Sequence, residues 1–211
     1  MTNSQPSRTR RFFDGLFIRL SRNTKFDGLW IGVFSEDRDN ELPRRVSEAL
    51  QLIKTYDPYR YRRVLREIDR ILVCLLPDNA AAFVPELRRC LVDPRYIRSC
   101  SPEFLASAIV HEATHGALIR RNIGYSEELR HRVEKVCMRQ ELAFARKIPH
   151  GQELRQTIER SLERAPEFWA DEVVSKRTRK GEVEMARYAG IPNWLVTALL
   201  NFRDLTARGR R

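Results

Sequence analysis

His111-Glu112-Ala113-Thr114-His115 is the stretch that decides how this chain is read. Histidines four positions apart stand one turn apart on the same face of a helix, so both imidazoles reach a single metal ion. Glu112 stands beside that pair, where its carboxylate can take a proton from a water at the ion. The chain has only four histidines, and the pentapeptide spends two of them.

The flanks agree with a helix. Ser101-Pro102-Glu103 has the order of a helix start: a hydroxyl at the N-cap, a proline in the first turn, an acid near the positive end. Leu105, Ala106, Ala108, Ile109 and Val110 lead into the motif, and Ala117, Leu118 and Ile119 follow it. Glu112 is the only charged residue from 104 to 119. This predicts a buried helix over about 102–121. Buried imidazoles and a buried carboxylate need partners, and one zinc ion serves all three. The competing account is a core helix whose histidines hydrogen-bond to backbone. Spacing, apolar flanks and the intervening glutamate together favour the metal.

The whole chain sets the bounds. Its 211 residues, 42% hydrophobic and 32% charged, suit one soluble globular domain with a substantial core. No apolar run approaches the roughly 20 residues of a membrane span, and Met1 to Pro6 lacks the pattern of a signal peptide. Cys74, Cys90, Cys100 and Cys137 form no C-x-x-C pair, which fits reduced thiols in a cytoplasmic protein. The net charge of +11 is spread over small clusters: Arg8 to Arg11, Arg60 to Arg63, Lys176 to Lys180 and Arg208 to Arg211. None combines basic residues with regularly spaced aromatics, so a solvated basic surface is favoured over a dedicated nucleic-acid site.

Along the chain, residues 1–11 read as a disordered basic N-terminus, 12–205 as a single domain and 206–211 as a basic tail. Phe12, Phe13, Leu16, Phe17, Ile18 and Leu20 form an apolar stripe that docks on the core or, less commonly, touches a membrane surface. Helices are expected over 43–55 and 58–70, separated by Asp57-Pro58, with a buried strand over 71–76. Short strands at 81–86 and 89–92 precede the motif helix. After a turn at 122–125, a long helix runs over about 126–147, followed by helical segments at 152–164, 165–180 and 192–203. Helices, a small sheet, the motif helix and further helices make a predominantly helical α+β domain.

A small sheet, an H-E-x-x-H helix and then a helix bearing a third ligand resemble the zincin-type metallopeptidases, and most closely the gluzincins, whose third ligand is a glutamate. The resemblance covers residues 101 to about 145. The metzincin extension is absent, since Gly116-Ala117-Leu118-Ile119-Arg120-Arg121 follows His115. The glycine-rich motifs of peptide deformylases are absent as well.

A catalytic zinc site usually takes three protein ligands and leaves one position open. Four downstream residues are candidates for the third, of which Glu141 lies about two turns beyond Glu134 and is better placed to orient a ligand or meet an arginine. If the motif helix ends near Arg121 and the return helix starts near Ser126, equal rises of about 1.5 Å per residue bring the level of Ala113 back near residue 134. Glu134 stands there, on an arc within about 60° of Cys137, Met138 and Ala145. A salt bridge to Arg130 or Lys135 is its ordinary alternative. Glu167 lies in Glu167-Phe168-Trp169-Ala170-Asp171, which resembles the E-x-x-A-D signature of several gluzincins. His131 would make an all-histidine site resembling SprT-type proteases. Met138 departs from the gluzincin pattern by standing where many members place an aspartate. The orienting carboxylate is then expected from Glu141 or Asp171.

The resemblance implies zinc held by His111, His115 and Glu134, with Glu112 as general base in the hydrolysis of a peptide or protein substrate. Tyr125, His131 and Arg139 are the candidate oxyanion donors. Zincin substrates commonly align along the edge strand before the motif helix, here within residues 80–93. Two alternatives remain open: a basic protein or protease associated with nucleic acid, and a non-catalytic domain stabilised by a structural metal.

Overall fold

The computed structural model describes residues 22–33, 41–77, 80–188 and 190–192. The expected N-terminal disorder, the apolar stripe at 12–20, the basic tail and nearly all of the helix expected over 192–203 lie outside these residues. The first elements among the described residues are a hairpin, β1 (Arg22–Phe26) and β2 (Leu29–Val33), paired in antiparallel register around Asp27-Gly28. Both turn residues have positive φ, 48° and 85°, as a two-residue turn matching strand twist requires. No strand was expected here, because β1 is polar and shows no alternation. The Asp-Gly dipeptide was the available signal.

α1 (Glu41–Tyr56) and α2 (Pro58–Glu67) meet at Asp57, whose carboxylate accepts from the Arg60 backbone N–H while Pro58 opens the second helix. α2 stops three residues earlier than the expected 58–70, because Ile68 is already extended and feeds β3 (Arg70–Val73). β3 is shorter than the expected 71–76. Asp93 takes the Leu76 N–H at 2.9 Å and Arg95 takes its carbonyl at 2.7 Å, so the chain leaves the ladder after Cys74.

β4 (Ala81–Val84) ends at Pro85, and a single 3-10 turn (Pro85–Leu87) with Arg88 at φ 45° leads into β5 (Arg89–Val92). The five strands lie in the order β1-β2-β3-β5-β4. β2, β3 and β5 are parallel, while β4 pairs antiparallel with β5 and forms an edge. A short helix, α3 (Pro94–Ser99), was missed although Asp93-Pro94 caps it in the same way that Asp57-Pro58 caps α2.

α4 (Pro102–Ile119) carries the motif and α5 (Glu127–Ala145) returns beside it. Both begin after a serine, yet neither serine side chain makes the capping bond that the sequence suggests. α6 (Gln152–Leu162) follows. The stretch expected as one helix over 165–180 is broken into a 3-10 turn (Pro166–Trp169) and α7 (Asp171–Tyr188). The break has a tertiary cause. Arg130 on α5 donates to the Trp169 carbonyl at 2.8 Å and pairs with Asp171, while the Asp171 N–H is taken by Glu127 at 2.8 Å.

The fold is therefore α+β and mainly helical, as expected. α4 is its centre, packed against α1, α2 and α5 with one flank along β4. Ile31, Leu50, Ile71, Val92, Ile109 and Phe144 are among the fully buried side chains that join sheet and helices in one core. Among the described residues, no helix is long and apolar enough to cross a membrane.

Gly116, directly after the motif, lets this packing close. A Cβ there would stand 2.9 Å from Glu67 Cβ and 3.0 Å from Phe83 Cζ. In an exposed helix, Gly→Ala gains about 1 kcal/mol. Here overpacking reverses the sign. Gly116→Ala is expected to cost about 1–3 kcal/mol, read as a lower urea midpoint with unchanged slope. An equal or higher midpoint would contradict the close packing of α4 on α2 and β4.

Candidate metal centre

The turn after α4, with Asn122 at φ 60°, sends α5 back along it. His111 Nε2 and His115 Nε2 face each other at 3.1 Å. Glu134 Oε2 lies 3.2 Å from the first and Oε1 lies 3.5 Å from the second. The level argument from helical rise thus meets its residue. Glu134 makes neither of the surface ion pairs that were its alternative, since Arg130 is engaged with Trp169 and Asp171. Its buried carboxylate takes a hydrogen bond from the Tyr125 hydroxyl, and the Tyr125 ring meets His115 edge-on at 5.3 Å.

The other nitrogen of His111 is fixed as well. Nδ1 lies 2.6 Å from Glu141 Oε1, and Glu141 Oε2 accepts from Ser107 at 2.7 Å. Glu141 therefore supplies the orienting carboxylate that Met138 does not, and such a partner sets ring orientation and directs Nε2 outward. Asp171, the other candidate for that task, is spent on Arg130. Behind the motif, Thr114 bonds back to Val110 O at 2.8 Å and meets Arg63, which also donates to Gln140 on α5 at 3.1 Å.

Other expected residues are elsewhere. Glu167 is exposed on the 3-10 turn and makes no contact with the histidines, so the E-x-x-A-D likeness is one of sequence only. His131 and Arg139 do not line the cleft, which leaves Tyr125 as the only one of the three oxyanion candidates that does. One residue was missed. Cys137, fully buried, presents a sulfur that groups with ring nitrogens of His111 and His115, all within 4.8 Å of one another. Sequence reasoning had counted it as an apolar neighbour of Glu134.

Charge is concentrated here. Burial works against an ionised Glu134, but hydrogen bonds from His111 and His115 and their charge outweigh it and hold the carboxyl well below its usual range. For His111, burial is overcome by the Glu141 charge and by bonds to Glu134 and Glu141, so its pKa is raised well above the usual value. His115 is lowered by burial but, bonded to Cys137 and Glu134, is raised overall to about 10. Glu112 is raised, chiefly by burial. Glu112, Glu134 and Glu141 together demand positive charge. Protons on two imidazoles and a divalent cation are interchangeable ways of supplying it.

The donor set fits zinc. A tetrahedral ion with bonds of about 2.0–2.1 Å holds its nitrogen and oxygen donors about 3.3 Å apart, close to the separations found here. Around this centre runs a cleft of about 470 Å³. Its floor includes His111, Glu112, His115 and Glu134; β4 contributes Ala81, Ala82 and Phe83, and α7 contributes Val174, Arg177 and Thr178. Leu118, Ile119, Ile123 and Val133 give it an apolar stretch.

No protein-family model, curated protein or solved structure matches this chain. The reading of the site stands on its geometry.

The histidine shifts set a direction for pH. A group whose pKa is raised on folding stabilises fully below its unfolded value, near 6.5 for His115, and that contribution is lost as pH rises through the folded value of about 10. Chelator-stripped protein should therefore melt at progressively lower temperature between those two values. Saturating zinc should flatten the profile, because the ion replaces the protons. Scanning fluorimetry across pH, with and without zinc, checks this; identical slopes would contradict it.

Proposed function

We propose that this protein is a zinc-dependent hydrolase that cleaves peptide bonds. The observation that carries the reading is the convergence of His111 Nε2, His115 Nε2 and a Glu134 carboxylate oxygen at 3.1–3.5 Å. Glu112 stands beside them at the cleft floor. His111, His115 and Glu134 would hold the ion, which supplies a water acidic near neutral pH and polarises the scissile carbonyl.

The chain's own groups do the rest. Glu141 and Ser107 keep His111 turned so that Nε2 faces the site. Glu112, largely withdrawn from solvent, accepts the proton of the attacking water and passes it to the leaving amine. Tyr125, the phenol that lines the cleft beside His115, would donate to the developing oxyanion by shifting its hydrogen bond from Glu134 to that oxygen. An extended peptide fits the cleft because β4 is an edge strand whose Ala81, Ala82 and Phe83 line it. Main-chain pairing along such an edge holds a substrate at regular spacing beside the metal. The order of small sheet, motif helix and return helix that the sequence resemblance implies supports this reading.

Glu112→Gln separates catalysis from metal binding, since the amide keeps the volume and loses the base. Turnover of a quenched fluorescent peptide library should fall about 10²–10⁴-fold, with zinc content and melting temperature retained. Unchanged hydrolysis in this variant would remove Glu112 from the mechanism. Absence of hydrolysis by zinc-loaded protein, in wild type and in Cys137→Ala alike, would remove the peptidase.

A further inference from the structure

Cys137 is one turn beyond Glu134 on α5, and no part of the hydrolytic reading uses it. Its side chain is fully buried, yet it lies outside the main core, in a small group with Leu118 and Val133. That group sits where α5 faces the far end of the motif helix. There its sulfur comes within 4.8 Å of ring nitrogens of both motif histidines. A tetrahedral zinc with one Zn–S bond of about 2.3 Å places sulfur about 3.6 Å from the imidazole nitrogens. The difference is within the reach of a side-chain rotation. Imidazole nitrogen and thiolate sulfur are both ordinary zinc donors.

We propose that Cys137 is a direct metal ligand, so that the ion rests in a closed site made by His111, His115, Glu134 and Cys137. This rests on the zinc reading above and deepens it. Four protein donors are the complement of structural sites, whereas catalytic sites keep one position open. A fourth protein donor would occupy the position that water needs. Coordination deprotonates the thiol, and its proton goes to solvent. Water would reach the ion only where the sulfur does not hold that position. Cys137 thus makes access of water, and so hydrolysis, conditional.

Zinc K-edge X-ray absorption on the zinc-loaded full chain tests this without reference to activity. The expected wild-type spectrum contains one sulfur at about 2.3 Å together with nitrogen and oxygen at about 2.0–2.2 Å. Cys137→Ser loses that sulfur, while Cys74→Ser, Cys90→Ser and Cys100→Ser each keep it. The three single variants assign the sulfur even if Cys137→Ser does not fold. A wild-type shell of nitrogen and oxygen alone, with zinc bound, overturns the proposal and leaves the zinc site intact; Cys137 would then be only a hydrogen-bonding partner of His115. Failure of wild type to bind zinc overturns both. Peptide turnover adds a second reading: Cys137→Ala should bind zinc and hydrolyse faster than wild type, and slower hydrolysis would count against a blocking thiolate.

Discussion

The pairing of α4 with α5 brings Glu134 against His111 and His115, and the rest of the structure depends on how that buried charge is met. A carboxylate withdrawn from water is costly unless it is paired and hydrogen-bonded. Glu134 has two imidazoles and a phenol for this purpose. His111 is also shared with Glu141, and both imidazoles act on Glu112, so five ionisable groups compensate one another in one site. Removing Glu134 or either imidazole leaves charge that the apolar surroundings solvate poorly, whereas burial already disfavours the charged form of Glu112. Such a cluster is poorly explained as a stability device, because well-packed apolar residues are often as stabilising. It is well explained as a place prepared for a cation.

The scaffold is arranged to hold this pair of helices in register. Gly116 lets α4 approach Glu67 and Phe83, which sets the motif helix against α2 and the edge strand together. Glu67, itself buried, is neutralised by Arg66 and Arg120. On the other side, Asp57, Arg60, Lys147 and Gln140 connect the start of α2 to α5. Arg130 then fastens Trp169 and Asp171, so the segment leading into α7 lines the same cleft as His111, His115 and Glu134. Sheet edge, motif helix and α7 meet at one place because each is tied to α4 or α5.

Much of this was legible in residues 101–145. Apolar flanks announced α4, and constant helical rise placed Glu134 at the right level. Glu141 was recognised as the better-placed second carboxylate. Those inferences succeed because they depend on helix geometry alone. The failures depend on tertiary partners. The break before α7 comes from Arg130 and Glu127, forty residues away in sequence. Early exit from β3 comes from Asp93 and Arg95. Glu167 matched a short pattern, but nothing in its neighbourhood carries it to the histidines. Cys137 escaped notice because on a helical wheel a thiol among Val133 and Met138 looks like core. Its nearness to two imidazoles appears only once α4 and α5 are packed.

The central claim is that the histidine pair and Glu134 form one zinc site, and metal stoichiometry tests it most directly. Elemental mass spectrometry of wild type and Glu134→Ala, purified without chelator and dialysed against the same zinc-buffered solution, gives the decisive comparison. The account predicts about one zinc per wild-type chain, as a single site requires, and substantially less in the folded variant. Wild type free of zinc, or a variant that holds it equally well, would contradict the account.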